Sequence, residues 1–357
     1  MSALVDGGWH VVVMMPADGR LVPRLRDRGA EVRFVSFPVL RRANQSPLAF
    51  AAMLLQALLA VPRMALVTRR MRPDLVYVNT ITLPWWILAA RVARTPVLCH
   101  LHEAETTDRK VVRQALLAPL LLADAVVVIS RSVLDAMLAA HPRLHTRARL
   151  VYNGVPQPPE PPVPARRGSP FRLAVVARLS PRKAPHLALE ATARLREQGR
   201  DVVVDLHGSV FDGYEWYLEE LKERAARPDL RGAVTFGGYT SPIWSALESS
   251  DAVVAPSLRE PFGNAVVEAQ LALRPVVATA AQGHLESIAD GRTGLLVEAE
   301  DVDGMTAAIA RLMDDPRLAE DLAAQARAEA VDRFSLERYA VELRKVADEL
   351  DPPAGSR

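Results

Sequence analysis

Two glutamates eight residues apart bracket a Gly-Asn pair in the segment Glu260-Pro-Phe-Gly-Asn-Ala-Val-Val-Glu268, a set of residue types suited to polyhydroxylated ligands. The apolar run Asp251-Ala-Val-Val-Ala-Pro256 predicts a strand ahead of them, and Ala265 to Leu273 has helical composition until Arg274-Pro275 ends it. Glu260 therefore falls before the helix and Glu268 inside it. A helix start offers unpaired N–H groups and a partial positive charge, which suit phosphate or polarised sugar oxygens. Glu260 and the amides around Phe262, Gly263 and Asn264 are placed to grip a sugar, and Glu268 to accept both hydroxyls of a ribose. Gly263 lets backbone come close to a ligand. Alone the spacing is loose, because two glutamates on a surface helix ordinarily do no more than solvate it.

The elements around this segment sharpen the reading. Phe171-Arg-Leu-Ala-Val-Val-Ala177 reads as a buried strand that empties into Arg178-Leu-Ser-Pro-Arg-Lys183 and then into a helix from Pro185 to Gln198. Cations at the carboxyl end of a strand, beside a helix start, lie where open parallel sheets bind ligands, and here they would face a diphosphate. Further apolar runs at His10 to Met15, Val32 to Phe37, Leu75 to Val78, Val97 to His100 and Ala125 to Ile129 alternate with helical stretches. Repeated strand-helix units predict doubly wound parallel sheets.

Several segments in order resemble the retaining GT-B glycosyltransferases of family 4, the group that shares the glycosyl-transferase group 1 domain. They are Asn153-Gly-Val155, Ala177-Arg-Leu-Ser-Pro-Arg-Lys183, Gly208 after Val202 to Leu206, Thr235-Phe-Gly237, Ser250 to Ser257, Glu260 to Glu268, Arg274-Pro-Val-Val-Ala278 and Gly291-Arg-Thr-Gly-Leu-Leu-Val297. Their order is far more specific than any one of them, and it covers the C-terminal half almost without a break. The resemblance implies an α/β GT-B fold of two doubly wound Rossmann-like domains facing across a cleft. It implies a retaining hexosyltransferase-type enzyme that moves a sugar from a nucleoside-diphosphate sugar to an acceptor hydroxyl in cell-envelope, polysaccharide or glycolipid synthesis. Arg178 and Lys183 would stabilise the departing diphosphate, Glu260 would hold sugar hydroxyls and Glu268 the ribose, with Gly208, Phe262, Gly263 and Asn264 lining the donor. The leaving phosphate would take the acceptor's proton, and neither cofactor nor divalent metal is expected.

The resemblance also points to His102, in Cys99-His-Leu-His-Glu103, as a donor to a sugar hydroxyl or to charge developing at the reaction centre. His100 competes. The two share a sheet face if both lie in the strand, so the strand must end between them for one alone to act. A hydrogen-bonded structural histidine is the plainer reading. The chain departs from the family pattern in three places. Met1 to Trp9 matches only the end of the usual first helix, so the first strand and its glycine-rich loop are missing from the sequence as given. A start codon assigned too far downstream explains that most simply, and a shortened protein is the lesser reading. Gln282-Gly283 stands where two glycines are usual, and Ala184 replaces a glycine after Lys183; Glu286 remains to anchor the first of these loops.

Length and charge bound the rest. A chain of 357 residues, half of them hydrophobic, calls for two domains. The expected division is 1–154, a proline-rich linker 155–169 with six prolines between Val155 and Pro164, a donor domain 170–334, and 335–357 as a helix crossing back to the first domain plus a loose tail. Residues 1–160 hold 20 Lys and Arg against 11 Asp and Glu, a net +9, while the remainder is net −7. The basic half favours anionic neighbours. Its competing readings are an arginine-rich solvated surface and peripheral docking on an anionic membrane through the apolar run Leu48 to Val61 and Arg63, Arg69, Arg70 and Arg72. That run, which Pro62 interrupts, is too short to span a bilayer. The lone Cys99 sits in an apolar run and reads as buried filler, and a cytoplasmic location fits. The acceptor stays open among glycan, lipid-linked and small molecules, and nucleic acid is not expected. A non-catalytic GT-B relative, or a truncated inactive chain, is the alternative function. A sugar-nucleotide epimerase or a phosphorylase is a further one, the latter requiring a pyridoxal-phosphate lysine that no motif here supplies.

Overall fold

The computed structural model describes residues 1–19, 21–40, 47–103, 110–165 and 168–350, and the tail from Asp351 expected to be loose lies outside that set. The chain divides into two compact units, Met1–Tyr152 with Glu337–Arg357, and Asn153–Leu336.

Unit 1 opens with the short helix α1 (Ser2–Val5), strand β1 (Val12–Met15), α2 (Leu21–Asp27) and β2 (Glu31–Phe34). The two strands pair with each other in parallel and form a sheet of their own. After α3 (Pro47–Met71) come β3 (Val76–Val78), α4 (Pro84–Ala93), β4 (Val97–Leu101), α5 (Lys110–Leu117), β5 (Ala125–Val128), α6 (Arg131–Ala140) and β6 (Ala148–Leu150). These strands form a second parallel sheet in the order β3-β4-β5-β6. All five residues of β4 are buried, the expected state of an inner parallel strand covered on both faces. Cys99 lies there with no exposure, and burial pushes its thiol well up, so it stays protonated. The sequence reading did not foresee β6, whose three half-buried residues are too few to show a period.

Pro62 does not break α3. The helix runs 25 residues through it, and Pro62 lies on the exposed side, where a helix tolerates a proline-induced bend best. Met53, Ala57, Met64 and Ala65 are buried, while Leu55, Leu58, Leu59 and Leu66 are exposed on the opposite side. No described helix is long and apolar enough to cross a membrane.

Unit 2 contains β7 (Phe171–Val176), α7 (Pro185–Glu197), β8 (Val202–His207), α8 (Glu215–Ala225), β9 (Val234–Gly238), α9 (Trp244–Glu248), β10 (Ala252–Ala255), α10 (Asn264–Leu271), β11 (Val276–Thr279), α11 (His284–Ser287), β12 (Leu295–Val297), α12 (Val302–Asp314) and α13 (Pro316–Phe334). Its six strands form one parallel sheet in the order β12-β11-β10-β7-β8-β9. Period-two alternation divides two cores between the faces. Leu173, Val175, Val204 and Leu206 pack with Leu189 of α7, Leu221 of α8 and Ile309 of α12, whereas Ala174, Val253, Val276 and Ala278 pack with Leu247 of α9 and Val266 and Ala269 of α10.

The proline-rich segment is tied to unit 2 rather than left as a bare connector. Val155 is buried, donates its N–H to Phe334 O at 2.9 Å and bridges Ser335. Val163 O accepts from Arg274, whose buried guanidinium also holds the Leu247 and Glu248 carbonyls. Only the prolines lack a donor, so Val155 is free to make the bridge. The final helix α14 (Leu336–Asp348) belongs almost wholly to unit 1. Its Leu343 and Val346 join Ala3, Leu98, Ala125 and Val127 in one core.

Candidate active site

Chain order places the site. From β7 the sheet grows outward to β8 and β9, then the chain returns to the other side of β7 to add β10, β11 and β12. The reversal lies between β7 and β10, and in open α/β sheets the crevice at the carboxyl ends of such a pair is where ligands bind. The loops leaving these two strands hold the residues singled out from the sequence.

Those loops are laced together. Leu258 donates its N–H to Arg182 O at 2.9 Å, and Arg182 Nη1 donates to Arg259 O at 3.0 Å. Lys183 Nζ and Glu260 Oε2 form a close ion pair, mostly shielded from solvent. Burial works to raise the Glu260 carboxyl, but the Lys183 ammonium and its neighbours outweigh it and hold the group below its ordinary value. Burial pulls Lys183 below its ordinary value against the attraction of Glu260. Ser257 Oγ approaches the same carboxylate oxygen at 3.4 Å.

Both helices that follow begin in the same unusual way. Ala184, before α7, and Gly263, before α10, have φ of +49° and +99°, and neither start has a side-chain cap. At Gly263 the left-handed backbone needs glycine, whereas at Ala184 it is imposed on an alanine, at a cost of about 1 kcal/mol. The N–H groups of Gly263 and Asn264 meet no acceptor among the described residues, leaving them available to an anionic or hydroxylic ligand. The Asn264 side chain is engaged instead, accepting from Asn153 Nδ2 at 3.1 Å. Phe262 turns its ring inward against Phe334, centroids 5.4 Å apart, and is 2% exposed. Only its backbone faces the loop.

Glu268 lies in α10, half-buried, with no hydrogen-bonding or ionic partner for its carboxylate among the described residues. Burial alone pushes it up to about 7. Arg178 is exposed at the end of β7, and its guanidinium stacks 3.3 Å from the Phe211 ring centroid. Gly208 follows β8, where a Cβ would stand 1.8 Å from Ala177 O, so no larger residue fits between the two strand ends.

Of the two glycine positions in the loop after β11, the retained one is the indispensable one. A Cβ on Gly283 would meet the Phe262 backbone at 2.4 Å, and Gly283 N donates to Glu260 O at 2.8 Å. Gln282 adopts φ +44°, a left-handed conformation where its side chain carries strain. Glu286 accepts from Arg333 through its backbone carbonyl, at 3.0 Å. Sequence reasoning passed over Arg182, inside the Arg178 to Lys183 segment, and His284, next to Gln282-Gly283, because their roles depend on contacts between loops. The chain's one Asp-x-Asp triplet, Asp301-Val302-Asp303, is committed to structure. Asp301 caps α12 by accepting from Gly304 N, and Asp303 pairs with Arg194.

His102 belongs to unit 1. Strand β4 ends at Leu101, so His100 lies inside it and is fully buried, while His102 lies just past its carboxyl end and is half-buried. His100 Nδ1 is 2.5 Å from Tyr77 Oη, and His102 Nε2 is 3.1 Å from Asn79 Oδ1, with the two rings 4.1 Å apart. Burial lowers the pKa of both histidines, which favours neutral imidazoles at neutral pH.

Comparison with known proteins agrees with this architecture. The family model for glycosyl transferases group 1 matches residues 157–329, and that for glycosyltransferase family 4 matches residues 1–158. The chain belongs to this glycosyltransferase family, with the GT-B fold. It is 31% identical over 183 residues to a glycogen synthase of Mycobacterium tuberculosis, covering 50% of this chain and 43% of that protein. It is 35% identical over 156 residues to a D-inositol 3-phosphate glycosyltransferase of Corynebacterium urealyticum, covering 41% and 36%. The matched segments thus span less than half the length of these curated relatives. The crystal structure of Anabaena HepE in complex with UDP and glucose superposes with a TM-score of 0.80 at 23% identity, over 95% of this chain and 91% of that one.

Proposed function

We propose that this protein transfers a sugar from a nucleoside-diphosphate sugar to an acceptor hydroxyl with retention at the anomeric carbon, in the assembly of a cell-envelope glycan, polysaccharide or glycolipid. The observation that carries the reading is the Lys183–Glu260 pair at the sheet's reversal point, with Glu268, which has no partner among the described residues, about one turn into the helix that follows. Lys183 and Arg178 supply positive charge for a departing diphosphate as the sugar gains oxocarbenium character, an electrostatic role. When Lys183 turns to phosphate, Glu260 is released to accept sugar hydroxyls. Glu268 accepts the ribose hydroxyls, and the amides of Gly263 and Asn264 complete the cradle. The leaving phosphate takes the acceptor's proton, so no protein base is required. His102 keeps the role implied by the family, as a donor to the reacting sugar. The Anabaena protein solved with UDP makes uridine nucleotides the first donors to try.

A cytoplasmic location with peripheral contact on an anionic membrane completes the reading. Helix α3 supports it: between Pro47 and Met71 it has no acidic residue, and its exposed leucines are flanked by exposed Arg63, Arg69 and Arg70. The test of the donor reading is a thermal-shift panel of the full chain against UDP, GDP, ADP and their sugar conjugates, with Glu268→Ala alongside. Stabilisation by one nucleotide, lost in the variant, supports it. A folded chain unmoved by every nucleotide is a non-catalytic relative instead.

A further inference from the structure

The loop after β11 holds a buried titratable side chain that the donor reading leaves unused. His284 opens α11 and is 1% exposed. Its Nδ1 lies 3.0 Å from the Thr279 carbonyl oxygen, which can only accept, so that bond assigns the proton to Nδ1 and leaves Nε2 a lone pair. Nε2 has no hydrogen-bond partner among the described residues. The nitrogen edge faces Gly263, where a Cβ would stand 2.9 Å from His284 Cδ2, 3.4 Å from Nε2 and 3.5 Å from Glu260 Cγ. The imidazole and the Glu260 side chain therefore pack closely around residue 263, and only a residue without a side chain lets the His284 edge come up against the loop.

Nε2 is not sealed from solvent, so a ligand hydroxyl can reach it and supply the donor that the protein does not. Sites of this kind select strongly, since an analogue lacking the hydroxyl leaves the protein atom unpaired. Resting on the donor reading above, we propose that His284 is a further sugar-binding residue whose Nε2 accepts a hydrogen bond from a hydroxyl of the transferred sugar, over Gly263 and beside Glu260. The charged groups facing the ring are Glu260 from the loop after β10 and Lys183 from the loop after β7. Burial lowers the imidazole's pKa, so at neutral pH it is the neutral acceptor the role requires.

Calorimetric titration of the full chain with UDP and with UDP-glucose tests this through the ratio of the two affinities, which isolates the sugar's share. His284→Asn keeps a donor toward Thr279 and deletes the Nε2 edge, while His284→Gln returns an amide near it. The Asn variant should bind UDP unchanged and UDP-glucose about tenfold more weakly, with the Gln variant recovering part of the loss. Equal weakening of both ligands, or an unchanged ratio, overturns the assignment. Wild-type protein gives a second readout that needs no variant: the nitrogen-15 resonance of His284 Nε2 should move with UDP-glucose and stay in place with UDP, and an unmoved signal with bound UDP-glucose overturns it as well. A wild-type chain that binds neither nucleotide sinks the donor reading itself, and this inference with it.

Discussion

Replacing Glu268 by glutamine should stabilise the empty protein and weaken its grip on nucleotide, and the first effect should depend on pH. Burial raises this carboxyl from 4.5 to about 7 with no compensating partner. Between those values the folded state holds the proton more tightly than the unfolded chain does, so stability falls as pH rises through the interval and levels off above it. A separation of about 2.5, at about 1.4 kcal/mol for each, sets an upper bound of about 3 kcal/mol for the ionised carboxylate, which solvent relaxation reduces to about 1–2 kcal/mol. Glutamine keeps the shape without the charge. Urea unfolding at pH 5 and pH 8 should therefore show the variant close to wild type at the lower pH and more stable by about 1–2 kcal/mol at the higher one. A stability difference that does not change with pH would refute the argument, because a packing effect has no reason to titrate. The same carboxylate is expected to be fully ionised once ribose hydroxyls donate to it. Nucleotide binding at pH 7 should then release about half a proton, measured by calorimetry in buffers of different ionisation enthalpy, and binding without proton release removes Glu268 from the ribose.

Lys183→Ala should slow transfer by about 100-fold or more while the protein stays folded, since it removes the charge facing the leaving group; an unchanged turnover would take Lys183 out of the mechanism. Gly283→Ala drives a Cβ into the Phe262 backbone and should cost about 1–3 kcal/mol together with donor binding, whereas Gly19→Ala, with open space around it, should change stability by no more than about 0.5 kcal/mol. His102→Ala should lose transfer without losing stability, and His100→Ala should unfold more easily because its ring is fully buried against Tyr77; the reverse pattern in paired activity and melting measurements would exchange their roles. Glutamates at Leu58 and Leu59, which are 70% and 65% exposed, should abolish co-sedimentation with phosphatidylglycerol vesicles and leave the melting temperature in place, so equal sedimentation by variant and wild type would exclude α3 as the contact.

Much of this site was legible before any coordinates, for local reasons. A loop glutamate, a glycine and a helical glutamate follow from composition and turn chemistry within a few residues. The strands of unit 2 were equally readable, because each is an apolar run bounded by turn residues. Where local signals were weak, the reading missed. Strand β6 is three half-buried residues, and Pro62 looked like a stop although α3 carries it on its solvent side. The left-handed backbone at Ala184 and Gln282 was equally hidden, since neither residue type announces it.

The sequence by itself determined the alternation of strands and helices, the placement of Glu260 before α10 and Glu268 within it, and the basic character of the first half, because each depends on residue type or on neighbours a few positions apart. Only the tertiary structure decided that Lys183 and Glu260, 77 residues apart, form one ion pair, that Glu268 has no partner among the described residues, and that His284 stands behind Gly263. Those facts follow from the strand order, which returns the chain to the far side of β7 and so sets two distant loops against each other. Burial then fixes the charge of each group, and burial is a property of the packed molecule that no short window of sequence contains.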